Sequence, residues 1–161
     1  MVSSYQGKLH ELEKEKYPTV AEIMSRSFVT VTPDTDIYAA MDIILAKNAS
    51  AALVVDPDHS NVLLGIVSEK DMLRLITQDS YENIPHGGGV INYMTPADKV
   101  VHARPDMGLN HVAELFINTP FKKVPVLENG KLVGIVRRWE VLSKISQIYK
   151  QNIEYLKVHN G

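Results

Sequence analysis

The sequence predicts a mixed α/β (α+β) fold built from two tandem copies of one β-α-β-β-α unit. Three observations carry that expectation. FVTVTPDTDIYAAMDIILAKNASAALVVD (28–56) aligns without a gap on VVHARPDMGLNHVAELFINTPFKKVPVLE (100–128). LLGIVSEKDML (63–73) has an echo in LVGIVRRWEVL (132–142). VAEIM (20–24) precedes the first copy as VINYM (90–94) precedes the second. Similarity in the same order at this spacing marks a duplicated supersecondary unit.

Within each copy the elements follow from local chemistry. A Pro-Asp pair, Pro33-Asp34 or Pro105-Asp106, precedes the first helix, and that Asp or a neighbour is available to cap its free N–H groups. Ile37, Ala40, Met41, Ile44 and Leu45 match Leu109, Val112, Ala113, Phe116 and Ile117. Their i, i+3, i+4, i+7, i+8 spacing is the stripe of a helix buried on one face. A short apolar strand follows, AALVVD (51–56) or KVPVLE (123–128), and then a turn. The turn is PDHSN in the first copy and the shorter NGK, a tight hairpin turn, in the second. A strand ending in Gly-Ile-Val then runs into a second helix. The polar, glycine-rich TQDSYENIPHGGG (77–89) marks the connection between copies.

The expected boundaries are an N-terminal helical extension (1–17), a first copy (18–77), a linker (78–89), a second copy (90–150) and a helix end and tail (151–161). A unit of roughly 60 residues buries too little surface to be comfortable alone. The two copies are therefore expected to pack as one domain with an internal pseudo-two-fold axis and helices outside. From Glu140 onward, Val141, Leu142, Ile145, Ile148, Tyr149, Ile153 and Leu156 fall on one helical side. That helix is longer than the repeat needs. With Tyr5, Leu9 and Leu12 it predicts a subunit contact, and hence a homodimer.

Composition removes several classes of function. The 17 basic and 19 acidic side chains leave a net charge of −2, without the basic footprint nucleic acid demands. No apolar run approaches the ~18 residues of a membrane span. The charged first residues resemble neither a signal nor a transit peptide, so a cytoplasmic protein is expected. Cysteine is absent, which excludes disulfides and thiol nucleophiles. The six histidines lack metal-site spacing. HGGG (86–89) has no G-x-S-x-G partner to supply a nucleophile. With no nucleophile, acid/base pair or metal cluster, neither an enzyme nor a required cofactor is expected.

A tandem of such units, each ending G-I-V-x-x-x-[D/E]-x-L and each opening with a Met-containing segment, resembles a CBS-domain pair. The likeness spans roughly residues 18 to 150. It implies a regulatory module that binds an adenine nucleotide such as AMP or ATP in a cleft between the repeats. It also implies a disc-like dimer and, for a stand-alone pair, output to an effector protein.

Ser68 and Asp71 in GIVSEKD admit two readings. As a helix start, Ser-x-x-acid is a capping box, although Asp is one carbon shorter than the preferred Glu. As a site, the CBS resemblance implies that Asp71 holds both ribose hydroxyls and Ser68 the ribose or a phosphate, near a helix N-terminus that favours anions. The two roles are compatible. Carried over by resemblance, Val100 and Val101 flank adenine, and Lys122 and Lys123 lie near phosphate. A second, degenerate cleft would combine Arg137, Arg138 and Glu140 with Thr30, Ser50 and Ala51. It departs from the family pattern because Arg replaces Ser/Thr and Glu replaces Asp. Two alternatives stay open: a cyclic di-AMP receptor using Arg137 and Arg138, whose guanidinium groups suit phosphate, and a structural module with unused clefts.

Overall fold

The computed structural model describes residues 18–82 and 87–160. The N-terminal extension with Tyr5, Leu9 and Leu12, and linker residues 83–86, lie outside them. In chain order the elements are α1 (Val20–Ile23), β1 (Thr30–Val31), α2 (Ile37–Ala46), β2 (Ala51–Val55), β3 (Leu63–Ser68), α3 (Glu69–Glu82), β4 (Thr95–Pro96), α4 (Leu109–Ile117), β5 (Lys123–Glu128), β6 (Lys131–Arg137) and α5 (Arg138–Asn160). Two 3-10 turns, Val90–Asn92 and Ala97–Lys99, flank β4. The polar stretch that joins the copies is helical as far as Glu82.

The chain divides into two compact units. The Asp71 unit comprises residues 27–101 and 128–133. The described part of the Glu140 unit comprises residues 18–26, 102–127 and 134–160.

In the Asp71 unit four strands form a sheet in the order β1-β2-β3-β4. β1 runs parallel to β2, while β2–β3 and β3–β4 are antiparallel. The register sets Ala51 opposite Ser68, and Gly65 opposite Pro96. Ile37, Ala40 and Ile44 of α2 pack with Val54, Val67 and Leu75 in the core. Leu45, at the edge of the apolar stripe, is 70% exposed. The cap of α2 is Asp36, whose carboxylate accepts the N–H groups of Tyr38 (3.0 Å) and Ala39 (3.3 Å). Asp34 instead accepts the Thr32 hydroxyl. Asn48, at φ 51°, ends α2, with Ala49 N donating to Ile44 O and Asn48 N to Leu45 O. That pair of bonds is a Schellman motif. In the turn after β2, Asp56 accepts the Asp58 N–H at 2.8 Å. That bond first, and the His59 ring after it, hold the Asp56 carboxyl below its usual range.

β5 and β6 form a hairpin, whose tip (residues 128–133) is counted with the Asp71 unit and whose remainder belongs to the Glu140 unit. Its turn residues Asn129 and Gly130 both have positive φ (54° and 77°), the conformation of the expected tight turn. The second copy's first strand is reduced to one parallel bridge, Ala103 to Val126. Leu109, Val112 and Phe116 are the buried face of α4, and Ile117, the counterpart of Leu45, is 79% exposed. Gly108 precedes α4 without a side-chain cap, and Asp106 accepts from Arg104 Nε. The apolar side expected for the last helix divides. Val141 and Ile148 are buried, whereas Leu142, Ile145, Tyr149 and Leu156 are exposed.

The opening segments are exchanged relative to the sequence copies. VINYM packs in the Asp71 unit, where a Cβ on Gly65 would stand 2.8 Å from the Met94 sulfur and 2.5 Å from the Thr95 oxygen. VAEIM packs in the Glu140 unit, where a Cβ on Gly134 would stand 2.6 Å from the Met24 sulfur. Ser25 and Ile135 there exchange both backbone bonds, at 2.8 and 2.9 Å. Both glycines serve the same purpose: each lets a methionine-bearing segment lie directly on a strand. Among the described residues no helix is long and apolar enough to cross a membrane.

Candidate functional site

Two strand–helix junctions, one per unit, hold five of the candidate residues: Ser68, Asp71, Arg137, Arg138 and Glu140. In the Asp71 unit, β3 ends at Ser68 and α3 begins at Glu69. Asp71 lies in the first helical turn, where the helix dipole favours a carboxylate. It is the one charged residue buried among the described residues, at 9% exposure. Burying a carboxylate is costly unless it is hydrogen-bonded. Oδ2 of Asp71 accepts the Ser68 N–H at 2.8 Å and the Ser68 hydroxyl at 3.1 Å. Asp71 N lies 3.4 Å from Ser68 Oγ, the longest contact of the set. The capping box is therefore made, with the shorter Asp reaching back successfully. Oδ1 faces Arg74 Nη1 at 3.5 Å, and that arginine side chain is 71% exposed.

The other residues assigned by resemblance divide between the units. Val100 and Val101, just beyond the Ala97–Lys99 turn, are half-buried in the Asp71 unit, as Val100 N donates to Ala97 O. Thr30, Ser50 and Ala51 also belong to the Asp71 unit. There Ala51 is registered with Ser68, and Ser50 O accepts the Glu69 N–H at 3.1 Å. Lys122 and Lys123 belong to the Glu140 unit. There Lys122 O accepts the Arg138 N–H at 2.9 Å, the counterpart of the Ser50–Glu69 bond. In both copies the residue just before the second strand thus pins the first residue of the following helix.

At the Glu140 junction Oε1 of Glu140 accepts the Arg137 N–H at 3.2 Å and Arg137 Nη1 at 3.1 Å. Arg138 and Trp139 are exposed. Arg74 was not singled out from sequence, although its i+3 spacing from Asp71 on one helix face was the available signal. Among the described residues no group of three His, Cys, Asp or Glu is placed to hold a metal ion.

This arrangement has relatives. The CBS domain family matches twice, over residues 20–78 and 90–147. The uncharacterized protein MJ1225 of Methanocaldococcus jannaschii is 32% identical over 117 residues, which are 73% of this chain and 39% of that protein. CBSX2, a chloroplastic CBS domain-containing protein of Arabidopsis thaliana, is 27% identical over 160 aligned positions, covering 83% of this chain and 66% of the relative. The chain thus spans between about two fifths and two thirds of the length of these curated relatives. A solved structure of CBSX2 in complex with AMP superposes with a TM-score of 0.70 at 29% identity, covering 82% of this chain and 98% of that one. With both matched segments in place and the same architecture around them, the chain belongs to the CBS domain family, as a tandem pair.

Proposed function

We propose that this chain is a regulatory CBS pair that binds an adenine nucleotide, AMP or a related phosphate ester such as ADP or ATP, and reports its occupancy to a partner protein. The observation that carries the reading is the buried Asp71 carboxylate. One oxygen is fixed by two donors from Ser68, and the other is met by a single exposed arginine at 3.5 Å. A carboxylate held in that way is a preorganised acceptor for ribose hydroxyls. The AMP complex of the related CBSX2 supports the ligand class. Val100 and Val101, in the same unit as Asp71, are the proposed adenine contacts. The proposal is of binding without hydrolysis: the sequence has no G-x-x-x-x-G-K-[ST] motif to cradle a triphosphate for chemistry.

The output passes through a surface of the protein, which we place in the cytoplasm as a homodimer joined through the exposed side of α5. The test is thermal unfolding with AMP, ADP, ATP, cyclic di-AMP and S-adenosylmethionine. A nucleotide at a hundred times its Kd adds ~2.7 kcal/mol, a rise of roughly 5–10 °C for a chain this size. No rise with any of the five at millimolar concentration overturns the proposal in favour of a structural module.

A further inference from the structure

The Lys122 carbonyl oxygen accepts the Arg138 N–H at 2.9 Å, which ties the loop before β5 to the start of α5. Next to those two residues in the chain stand Phe121 and Trp139, 45% and 63% exposed. The bond therefore gathers two exposed aromatic residues and two exposed cations, Lys122 and Arg138, at one corner of the Glu140 unit. In the other copy Ser50 O holds Glu69 N by the same bond, and the equivalent positions are Ala49, Ser50, Glu69 and Lys70. The junction closes there without an aromatic ring, so closing it is not what Phe121 and Trp139 are for.

Charge points to what they meet. Arg137 is engaged by Glu140, but the side chains of Lys122 and Arg138 have no ion-pair partner among the described residues. The described residues of the Glu140 unit hold nine Lys and Arg against five Asp and Glu, whereas the Asp71 unit holds five against eleven. An acidic partner is thus drawn to one unit and repelled by the other. Aromatic residues and arginine are the side chains that dominate binding energy at protein interfaces. A guanidinium takes a carboxylate through two parallel bonds, and exposed rings offer apolar area. A nucleic-acid strand needs a basic stripe along successive phosphates, and a chain of net charge −2 is a poor host for one. A short acidic segment needs only this corner.

We propose that Phe121, Lys122, Arg138 and Trp139 dock a short acidic segment of a partner protein, its carboxylates on the two cations and its apolar side chains on the two rings. The proposal holds whether or not Asp71 takes a nucleotide, and its test contains none. Trp139 is the only tryptophan of the chain, so its emission reports the corner directly. The full chain is titrated with a Trp-free peptide rich in Glu, Asp and Leu, followed by that emission and by anisotropy of the labelled peptide. The emission is expected to move to shorter wavelength, and binding to weaken as salt is raised. Lys122→Glu, Arg138→Glu and Trp139→Ala are each expected to weaken binding about tenfold or more by anisotropy. Their melting temperatures are expected to stay near the parent's, because all three side chains are exposed. Lys70→Glu, at the counterpart of Trp139, is expected to bind as the parent does.

Unchanged emission and anisotropy at millimolar peptide overturn the proposal. So does equal binding of a peptide with Lys in place of its acids, or parental affinity in the three variants. Should one variant not fold, the other two decide. Tighter binding of oligothymidylate overturns it in favour of a nucleic-acid surface. Emission already at short wavelength without peptide, moving to longer wavelength on dilution, overturns it in favour of a second copy seated on the corner.

Discussion

At Gly65 a methyl group would meet the Thr95 carbonyl oxygen at 2.5 Å and the Met94 sulfur at 2.8 Å, so the backbone itself must yield to admit it. Forcing one carbon into a packed contact costs about 1–3 kcal/mol, or roughly 2–4 °C of melting temperature per kcal/mol at this chain length. Gly65→Ala is therefore expected to melt measurably lower than the parent. Gly134→Ala is expected to lose less, because its nearest obstacle at 2.6 Å is the flexible Met24 sulfur and the Ser25 oxygen lies farther off, at 3.0 Å. Equal melting temperatures for parent and Gly65→Ala would contradict the close approach of β4 to β3. The two glycines stood out in the sequence because each opens a Gly-Ile-Val run. What they admit did not, because Met94 and Met24 reach them only through pairing between distant segments.

Among the elements, α2 shows how far local rules carry. Its apolar stripe predicts the buried Ile37, Ala40 and Ile44, and the same rule serves Leu109, Val112 and Phe116 in α4. The last position of each stripe, Leu45 or Ile117, turns outward. At 100° per residue the i+8 position lies at the edge of the stripe rather than its centre. The Pro-Asp pairs located both helix starts but not the capping residue. Asp36 has the carboxylate on the N–H groups of Tyr38 and Ala39, while Asp34 is engaged by Thr32. Asp36→Ala is expected to cost ~0.5–2 kcal/mol, and Asp34→Ala less than ~0.5 kcal/mol, read as urea midpoints. The opposite order would contradict the cap. In α5 the exposed Leu142, Ile145, Tyr149 and Leu156 recur at intervals of three, four and seven, a seam suited to a second copy of the helix. Light scattering is expected to find a dimer for the full chain at micromolar concentration and a monomer for a chain ending at Ser146. A monomeric full-length protein would refute the proposed dimer.

At the scale of the whole molecule, a duplication readable from sequence has become two compact units with exchanged opening segments. The copies could be aligned because apolar period, glycine and turn chemistry are local. The exchange escaped that alignment because it depends on which strand each segment pairs with. The same division applies to the candidate site. Ser68 and Asp71 were legible as Ser-x-x-Asp at a strand end, whereas the Lys122–Arg138 backbone bond depends on how loop and helix meet. Asp71 now has two possible roles, closing the helix start and holding a ribose, and they separate by magnitude. Titration of Asp71→Ala with AMP, beside its ligand-free melting curve, tests the nucleotide reading most directly. The expected result is a loss of ~1.5–3 kcal/mol in affinity, one to two decades in Kd, with at most the ~0.5–2 kcal/mol of stability that a cap contributes. A variant that melts lower than the parent yet binds AMP with unchanged affinity would contradict it, leaving Ser68 and Asp71 as a helix cap and nothing more.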